Sequence, residues 1–319
     1  MSGPFLVGLV GARGHTGREL IRLVAGHPDL MLAYAVSREW AGRPVAEVAP
    51  EDQDGCIFEA LDPDAAAKRR ADVVILALPD GAGAAYVEAI ERDAPHRIIV
   101  DLSADRRFDD DWAYGLPELF RKRLAGATRI ANPGCYATAM QLALAPLVER
   151  FGGVPAVFGV SGYSGAGTTP GPRNDAERLH DNLMPYALVG HKHEREASRH
   201  LGAPVRFMPH VHPAFRGLIV TAHMPLQEPL DARGLTELYE KKYANEPLIA
   251  LQNAPPELKD GTHRAGVLIG GFALSEDGRN AVVAAAEDNL LKGAAVQAIQ
   301  NVNLALGLAE TTGVLENSG

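Results

Sequence analysis

The strongest constraint on the fold is an alternation in the first part of the chain. Short apolar runs at residues 5–10, 31–36, 73–78 and 98–102 are separated by stretches with helical patterning, clearest at 16–25 and 82–92. Continuous apolar runs of this length read as strands buried on both faces, and intervening helices supply the crossovers that parallel strands need. Gly, Pro and Asp at the ends of the runs provide turn chemistry. The expected fold is α/β, a doubly wound parallel sheet of the Rossmann type.

After Cys135 a helical stretch runs to about residue 151, and then the texture changes. Apolar runs at 157–162, 205–208, 217–224, 267–274 and 281–286 are irregularly spaced and joined by loops rich in Gly, Pro and His. This pattern predicts a second, α+β domain with a mixed sheet over 135–287. Residues 1–134 form the expected first domain, completed by a C-terminal segment, 288–319, whose helix is expected at 289–308. A chain of 319 residues is long enough for two such cores.

Composition narrows the function classes. The net charge of -9 argues against a nucleic-acid or anionic-membrane partner but leaves room for a local basic pocket. No apolar run approaches the roughly 18 residues that span a bilayer. The opening M-S-G-P-F-L-V-G is a poor signal peptide, and two cysteines, Cys56 and Cys135, make no disulfide framework. A cytoplasmic location is expected.

The segment Gly8-Leu9-Val10-Gly11-Ala12-Arg13-Gly14-His15-Thr16-Gly17 follows a strand and opens a helix. Glycines there let backbone N–H groups approach a pyrophosphate, and the helix N-terminus adds partial positive charge. The spacing is G-x-x-G-x-x-G rather than G-x-G-x-x-G, and a plain strand-to-helix turn is the bland alternative. The second strand ends in Ser37-Arg38, where an NAD site usually carries an acidic ribose ligand. A hydroxyl and a guanidinium suit a 2′-phosphate, so NADP is favoured over NAD, although Glu39 adjoins them and Arg38 alone could be a solvated loop charge.

Asn132-Pro133-Gly134-Cys135 breaks a strand and leaves Cys135 at the start of a helix. A helix N-terminus stabilises a thiolate, and neighbouring N–H groups can serve an oxyanion; the alternative is a buried structural cysteine. Cys56 has no such context. Proton transfer needs a partner, and His191-Lys192-His193 precedes a helix expected near Glu194, with a second pair at His210 and His212. An H-x-H pair can also bind metal, but no further ligand stands at convincing spacing, so no metal is expected.

Taken in order, G-A-R-G-H-T-G-R-E-L at 11–20, D-L-S-A-D-R-R at 101–107, Y-G-L-P-E-L at 114–119, N-P-G-C-Y-A-T at 132–138, S-G-Y-S-G-A-G at 161–167, G-H-K-H-E-R-E at 190–196 and D-N-L-L-K-G-A-A-V-Q-A at 288–298 resemble the N-acetyl-gamma-glutamyl-phosphate reductases, relatives of aspartate-semialdehyde dehydrogenase. The resemblance spans nearly the whole chain. It implies NADPH-dependent reduction of an acyl phosphate to a semialdehyde within arginine biosynthesis, by a homo-oligomer, dimer or tetramer. It puts the nucleophile on Cys135 and the acid/base on His191. Arg107 would hold phosphate or carboxylate through a bidentate fork, with Ser161, Ser164, His193 and Glu196 in the substrate site. Gly11, Arg13, Gly14, His15, Thr16, Gly17, Ser37, Arg38, Pro79, Asn289 and Lys292 would bind the cofactor.

The sequence departs from the family at several points. Lys192 and Arg195 stand where H-R-H-x-P-E is usual, Arg106 replaces a common Phe, and Ala137 a frequent Pro. None removes a reacting group. An aminoadipyl or aspartyl phosphate as substrate, or a catalytically silent NADP sensor on the same fold, are the competing readings.

Overall fold

The computed structural model describes residues 3–50 and 55–314. The last part of the expected C-terminal segment, 315–319, lies outside the described residues. The chain divides into two compact units, residues 1–133 with 294–319, and residues 134–293.

The first unit runs β1 (Phe5–Val10), α1 (His15–Ala25), β2 (Leu30–Val36), β3 (Phe58–Glu59), α2 (Pro63–Lys68), β4 (Val73–Leu76), α3 (Ala84–Asp93), β5 (Ile98–Asp101), β6 (Ala113–Tyr114), α4 (Pro117–Leu124) and β7 (Arg129–Ala131). The sheet order is β3-β2-β1-β4-β5-β7-β6, with every pairing parallel. β1 is where the winding reverses, and in such sheets ligands bind beyond the carboxyl ends of the strands at that point. β4 and β5 are buried at every position, as expected of strands covered on both faces.

The second unit contains α5 (Cys135–Leu144), β8 (Ala156–Gly162), α6 (Ala176–Leu179), β9 (Met184–Pro185), α7 (Lys192–Leu201), β10 (Arg206–His212), β11 (Leu218–Pro225), α8 (Ala232–Tyr243), β12 (Ile249–Gln252), α9 (Leu258–Gly261), β13 (Val267–Leu274) and β14 (Asn280–Glu287). Its sheet is mixed, in the order β12-β13-β14-β11-β8-β10-β9. α5 is buried along nearly its whole length, as a helix apolar on all sides must be. The phenols of Tyr239 and Tyr243 on α8 donate to the carbonyls of Ala143 and Leu142, both at 2.5 Å, and so cover the orphan carbonyls at the end of α5.

The expected terminal helix over 289–308 forms differently. A five-residue π-turn, Leu291–Ala295, comes first, and α10 (Val296–Leu306) follows. Asp288 drives the turn, its carbonyl accepting from Gly293 N–H at 3.0 Å and its carboxylate from Leu290 N–H at 2.9 Å. α10 belongs to the first unit, where Gln297 and Asn301 donate to the carbonyl of Gly115 at 2.6 and 3.0 Å. A Cβ on Gly115 would lie 2.3 Å from Asn301 Nδ2, which explains the glycine in Y-G-L-P. The stretch after Cys135 also ends sooner than expected, at Leu144, and continues as a 3-10 helix to Arg150 with proline in its first turn.

Candidate active site and cofactor loop

Three glycines shape the loop between β1 and α1, each for a different reason. Gly11 has φ +87°, and a Cβ there would sit 2.2 Å from Ala77 O. A Cβ on Gly17 would lie 2.6 Å from Gly11 O and 2.7 Å from Ala12 O, so this glycine lets α1 pack on the loop. Gly14, at φ -59°, has only Gly11 O within reach of an added Cβ, at 3.5 Å, and leaves a cradle that a side chain would fill. Tight turn, ligand approach and helix packing are the roles glycines play in a dinucleotide loop. α1 begins with neither a capping side chain nor an acidic residue, so its first N–H groups suit an anion.

The other cofactor candidates cluster nearby within this unit. Arg13 pairs with Glu39 at 2.5 Å, which occupies the glutamate adjoining Ser37 and Arg38. Ser37 is buried and its hydroxyl accepts from Trp40 N–H at 3.2 Å, while Arg38 is exposed. The ring of Trp40 lies beneath two guanidiniums, Arg18 at 4.7 Å and Arg43 at 5.1 Å. His15 and Thr16 are half-buried in the first turn of α1, and burial lowers the pKa of His15 from its ordinary value. Pro79 is exposed in the loop leaving β4, beside the glycine loop through the Ala77–Gly11 contact. Asn289 and Lys292 belong to the other unit. Asn289 accepts from Gly217 N–H at 2.9 Å and donates to Ser164 Oγ at 2.8 Å, while Lys292 is fully buried in the π-turn rather than opening an α-helix.

Arg107 is buried, not a surface charge. Its Nε donates to Asn132 O at 2.9 Å and its Nη2 to Leu102 O at 2.7 Å. These two bonds brace the N-P-G-C turn at Asn132 and the chain leaving β5 at Leu102. The preceding D-L-S-A-D motif has a local purpose too. Asp101 accepts from Ser103 N–H and Oγ, and Asp105 from Gly81 N–H.

In the second unit Cys135 is the first residue of α5, half-buried, with Gly134 as N-cap and no capping side chain on the helix. The fully buried Glu196 accepts from Gly134 N–H at 2.9 Å and fixes the turn. Gly293 also faces the cysteine. A Cβ there would stand 2.7 Å from Cys135 Cβ and 2.9 Å from Glu287 Oε1, so the π-turn can approach only as glycine. Such turns recur at functional sites, and a glycine interrupting a helical pattern was the available sequence signal.

His191 is the N-cap of α7, which begins at Lys192 rather than near Glu194. Its Nδ1 accepts from His193 N–H at 3.1 Å, so the neutral ring carries its proton on Nε2. Burial, and then the charges of Lys192 and Arg173, push its pKa down to about 4. The two rings stand 4.8 Å apart, and both contact Tyr136. Tyr136 donates to His210 O at 2.6 Å. Tyr186 packs against His191, ring centroids 5.6 Å apart, and carries the guanidinium of Arg173 over its own ring at 4.8 Å. Burial raises the pKa of both phenols, Tyr186 to about 12, and the negative charge of a Cys135 thiolate adds to the shift in each. Both therefore remain protonated beside the sulfur. Neither Tyr186 nor Arg173 stood out in the sequence, because each lies in an irregular loop without a recognisable motif.

Ser161 and Ser164 are buried, the first donating to Gly162 O at 3.1 Å. The second histidine pair has structural partners. His210 Nδ1 meets Met208 O at 3.1 Å, and His212 Nδ1 accepts from Ala214 N–H at 3.1 Å.

Comparison with known proteins defines the class first. Residues 6–127 match the family described as semialdehyde dehydrogenase, NAD binding domain, and 135–289 the semialdehyde dehydrogenase, dimerisation domain. Aspartate semialdehyde dehydrogenase II of Vibrio cholerae, in its complex with ASA, has the same fold at a TM-score of 0.77 and 19% identity, over 96% of this chain and 99% of that one. The Candida albicans aspartate semialdehyde dehydrogenase with NADP has a TM-score of 0.74 at 16% identity, over 95% and 99%. The chain is a semialdehyde dehydrogenase in architecture, with a nicotinamide cofactor's domain. N-acetyl-gamma-glutamyl-phosphate reductases of Xylella fastidiosa strain 9a5c and Xanthomonas campestris pv. campestris strain B100 are each 55% identical to it, over 97% of this chain and 93% of the first, and 98% of both for the second. The chain belongs to the N-acetyl-gamma-glutamyl-phosphate reductase family.

The glycine geometry yields an expected contrast. Gly14→Ala should melt within about 1 kcal/mol of the parent protein, because the site is open, yet bind the dinucleotide about tenfold or more weakly. Gly17→Ala should lose about 2 kcal/mol or more, since backbone atoms cannot yield. Thermal melts and a cofactor fluorescence titration separate the two effects.

Proposed function

We propose that the chain reduces N-acetyl-gamma-glutamyl phosphate to N-acetylglutamate 5-semialdehyde and phosphate with NADPH, as a step of arginine biosynthesis. The observation that carries this reading is Cys135 at the uncapped start of a buried helix, with His191 and two protonated phenols grouped around it. The helix N-terminus stabilises the thiolate. The thiolate attacks the acyl carbon, its S–C bond replaces the C–O bond to phosphate, and phosphate leaves with the electron pair. NADPH, when bound, supplies the hydride that reduces the resulting thioester. His191 stabilises the developing alkoxide by a hydrogen bond from Nε2 without giving up the proton, and collapse of that thiohemiacetal alkoxide re-forms the C=O bond, breaks the C–S bond, returns the thiolate and releases the aldehyde. Glu196 and Gly293 hold the cysteine turn in place, and Ser161, Ser164 and His193 complete the substrate site.

The cofactor loop fits a dinucleotide, and Ser37, Arg38 and the neighbouring Arg13 favour the 2′-phosphate form. A small-molecule substrate, a homo-oligomer assembled through the second unit and a cytoplasmic location accord with the matched families and with two free cysteines. No helix among the described residues is long and apolar enough to cross a membrane.

The test runs the reaction backwards, with N-acetylglutamate semialdehyde, NADP and phosphate, and reads nicotinamide absorbance. Phosphate-dependent reduction, with arsenate substituting, is expected. Activity only with aminoadipate or aspartate semialdehyde would change the substrate and keep the chemistry. In the same assay Arg38→Ala should raise KM for NADP about tenfold or more and leave that for NAD nearly unchanged. Equal losses would remove Arg38 from the 2′-phosphate site.

A further inference from the structure

Arg173 lies in the loop between β8 and α6, outside the sequence motifs that carry the site. Its guanidinium sits over the ring of Tyr186, 4.8 Å from the centroid. Tyr186 in turn meets the ring of His191, 5.6 Å between centroids, and His191 lies 6.5 Å from the ring of Tyr136, whose hydroxyl donates to His210 O. Both phenols feel the charge of Cys135, and Arg173 lies close enough to His191 to lower its basicity. The arginine is thus tied to the sulfur's surroundings at one end and exposed at the other.

Its other property is what it lacks. Among the described residues Arg173 forms no ion pair with a carboxylate, whereas Arg13, Arg43, Arg69, Arg92, Arg129 and Arg216 each have one. Stacking on Tyr186 pre-orders the exposed guanidinium, whose planar fork of donors matches an oxyanion. The chain carries a net charge of -9, so an anionic substrate needs a local cation to be held. Arg107, the arginine that the family motif suggests, has its Nε–Nη2 edge on the backbone.

We propose that Arg173, on its Tyr186 platform, binds an oxyanion of the substrate at the Cys135 site. This rests on the acyl-phosphate reading above. The anion is either the phosphoryl group or the carboxylate of the acyl chain, and the reverse reaction separates them because phosphate and semialdehyde are then distinct substrates. In that assay Arg173→Ala should raise KM for one of the two by about 10–100-fold, with kcat within a few-fold and KM for NADP unchanged. A rise for phosphate assigns the phosphoryl group, and a rise for the aldehyde assigns the carboxylate. Arg173→Lys should recover part of the loss, since a point charge replaces a fork, and guanidinium ion should rescue the alanine variant. The comparison uses whichever semialdehyde the parent protein turns over. Both KM values unchanged, or a fall in kcat alone, would overturn the proposal while leaving the function intact. Parent protein silent with every semialdehyde would overturn both.

Discussion

Cys135→Ser should bind NADP as the parent protein does and lose turnover about a thousandfold or more. The size follows from the chemistry, because a serine hydroxyl is a far weaker acid than a thiol, and a helix start that stabilises a thiolate does not ionise an alcohol. Preservation of the rest follows from the packing. Serine is no larger than cysteine and accepts the close approach of Gly293, and the turn is held by the bond from Gly134 N–H to Glu196. The glycine loop belongs to the other compact unit, so cofactor titration reports independently on folding there. Steady-state rates give the loss, and mass spectrometry of enzyme mixed with acyl phosphate should show an acyl adduct on the parent protein alone. A serine variant with parental turnover would remove the thioester from the mechanism.

How much of this was legible in the sequence depends on the range of the interaction. The strands of the first unit could be read because a parallel sheet buries both faces and leaves uninterrupted apolar runs. Two-residue strands such as β3 and β6 have no periodicity to detect, and only their pairing with β2 and β7 makes them strands. α8 carries a helical pattern in a stretch that composition alone leaves indistinct, and its value is tertiary, in the tyrosines that cap α5. The glycine loop was legible as a motif, but the separate duties of Gly11, Gly14 and Gly17 depend on which backbone atoms lie opposite.

The catalytic unit follows the same rule. Cys135, His191, His193 and Glu196 sit in motifs, so their residue types announce themselves. The resemblance put Arg107 in the substrate site through its motif, and a motif does not say whether a guanidinium faces a ligand or the main chain. Only the fold brings it to Asn132 O and Leu102 O. Arg173 and Tyr186 reach the site across a loop with no pattern, and Tyr186 stands against His191 beside the paired β9 and β10. The π-turn is the converse case. Its composition favours a helix, and the close approach of Gly293 to Cys135 overrides the regular form.

His191→Asn should lower kcat about 10²–10⁴-fold while the protein stays folded. Asparagine is a favoured N-cap and can accept His193 N–H in place of Nδ1, so the start of α7 is kept. What it cannot supply is the Nε2 proton. Burial and the charges of Lys192 and Arg173 hold the imidazole near pKa 4, so it is neutral through the physiological range and acts first as a donor. The same shift ties stability to pH, with a definite sign. An unfolded histidine takes a proton near pH 6.5 and the folded one near 4, so this stabilisation is complete above 6.5 and is lost as pH falls toward 4. The full amount is about 3 kcal/mol. On acidification from pH 7 to 4.5 the parent's denaturant midpoint should therefore fall relative to that of the variant, which has no titrating group there, beyond any change the two proteins share. Parallel curves would show that His191 is not held neutral by its surroundings, and a variant with parental kcat but a lost His193→Asn counterpart would transfer the acid's role to the neighbouring ring.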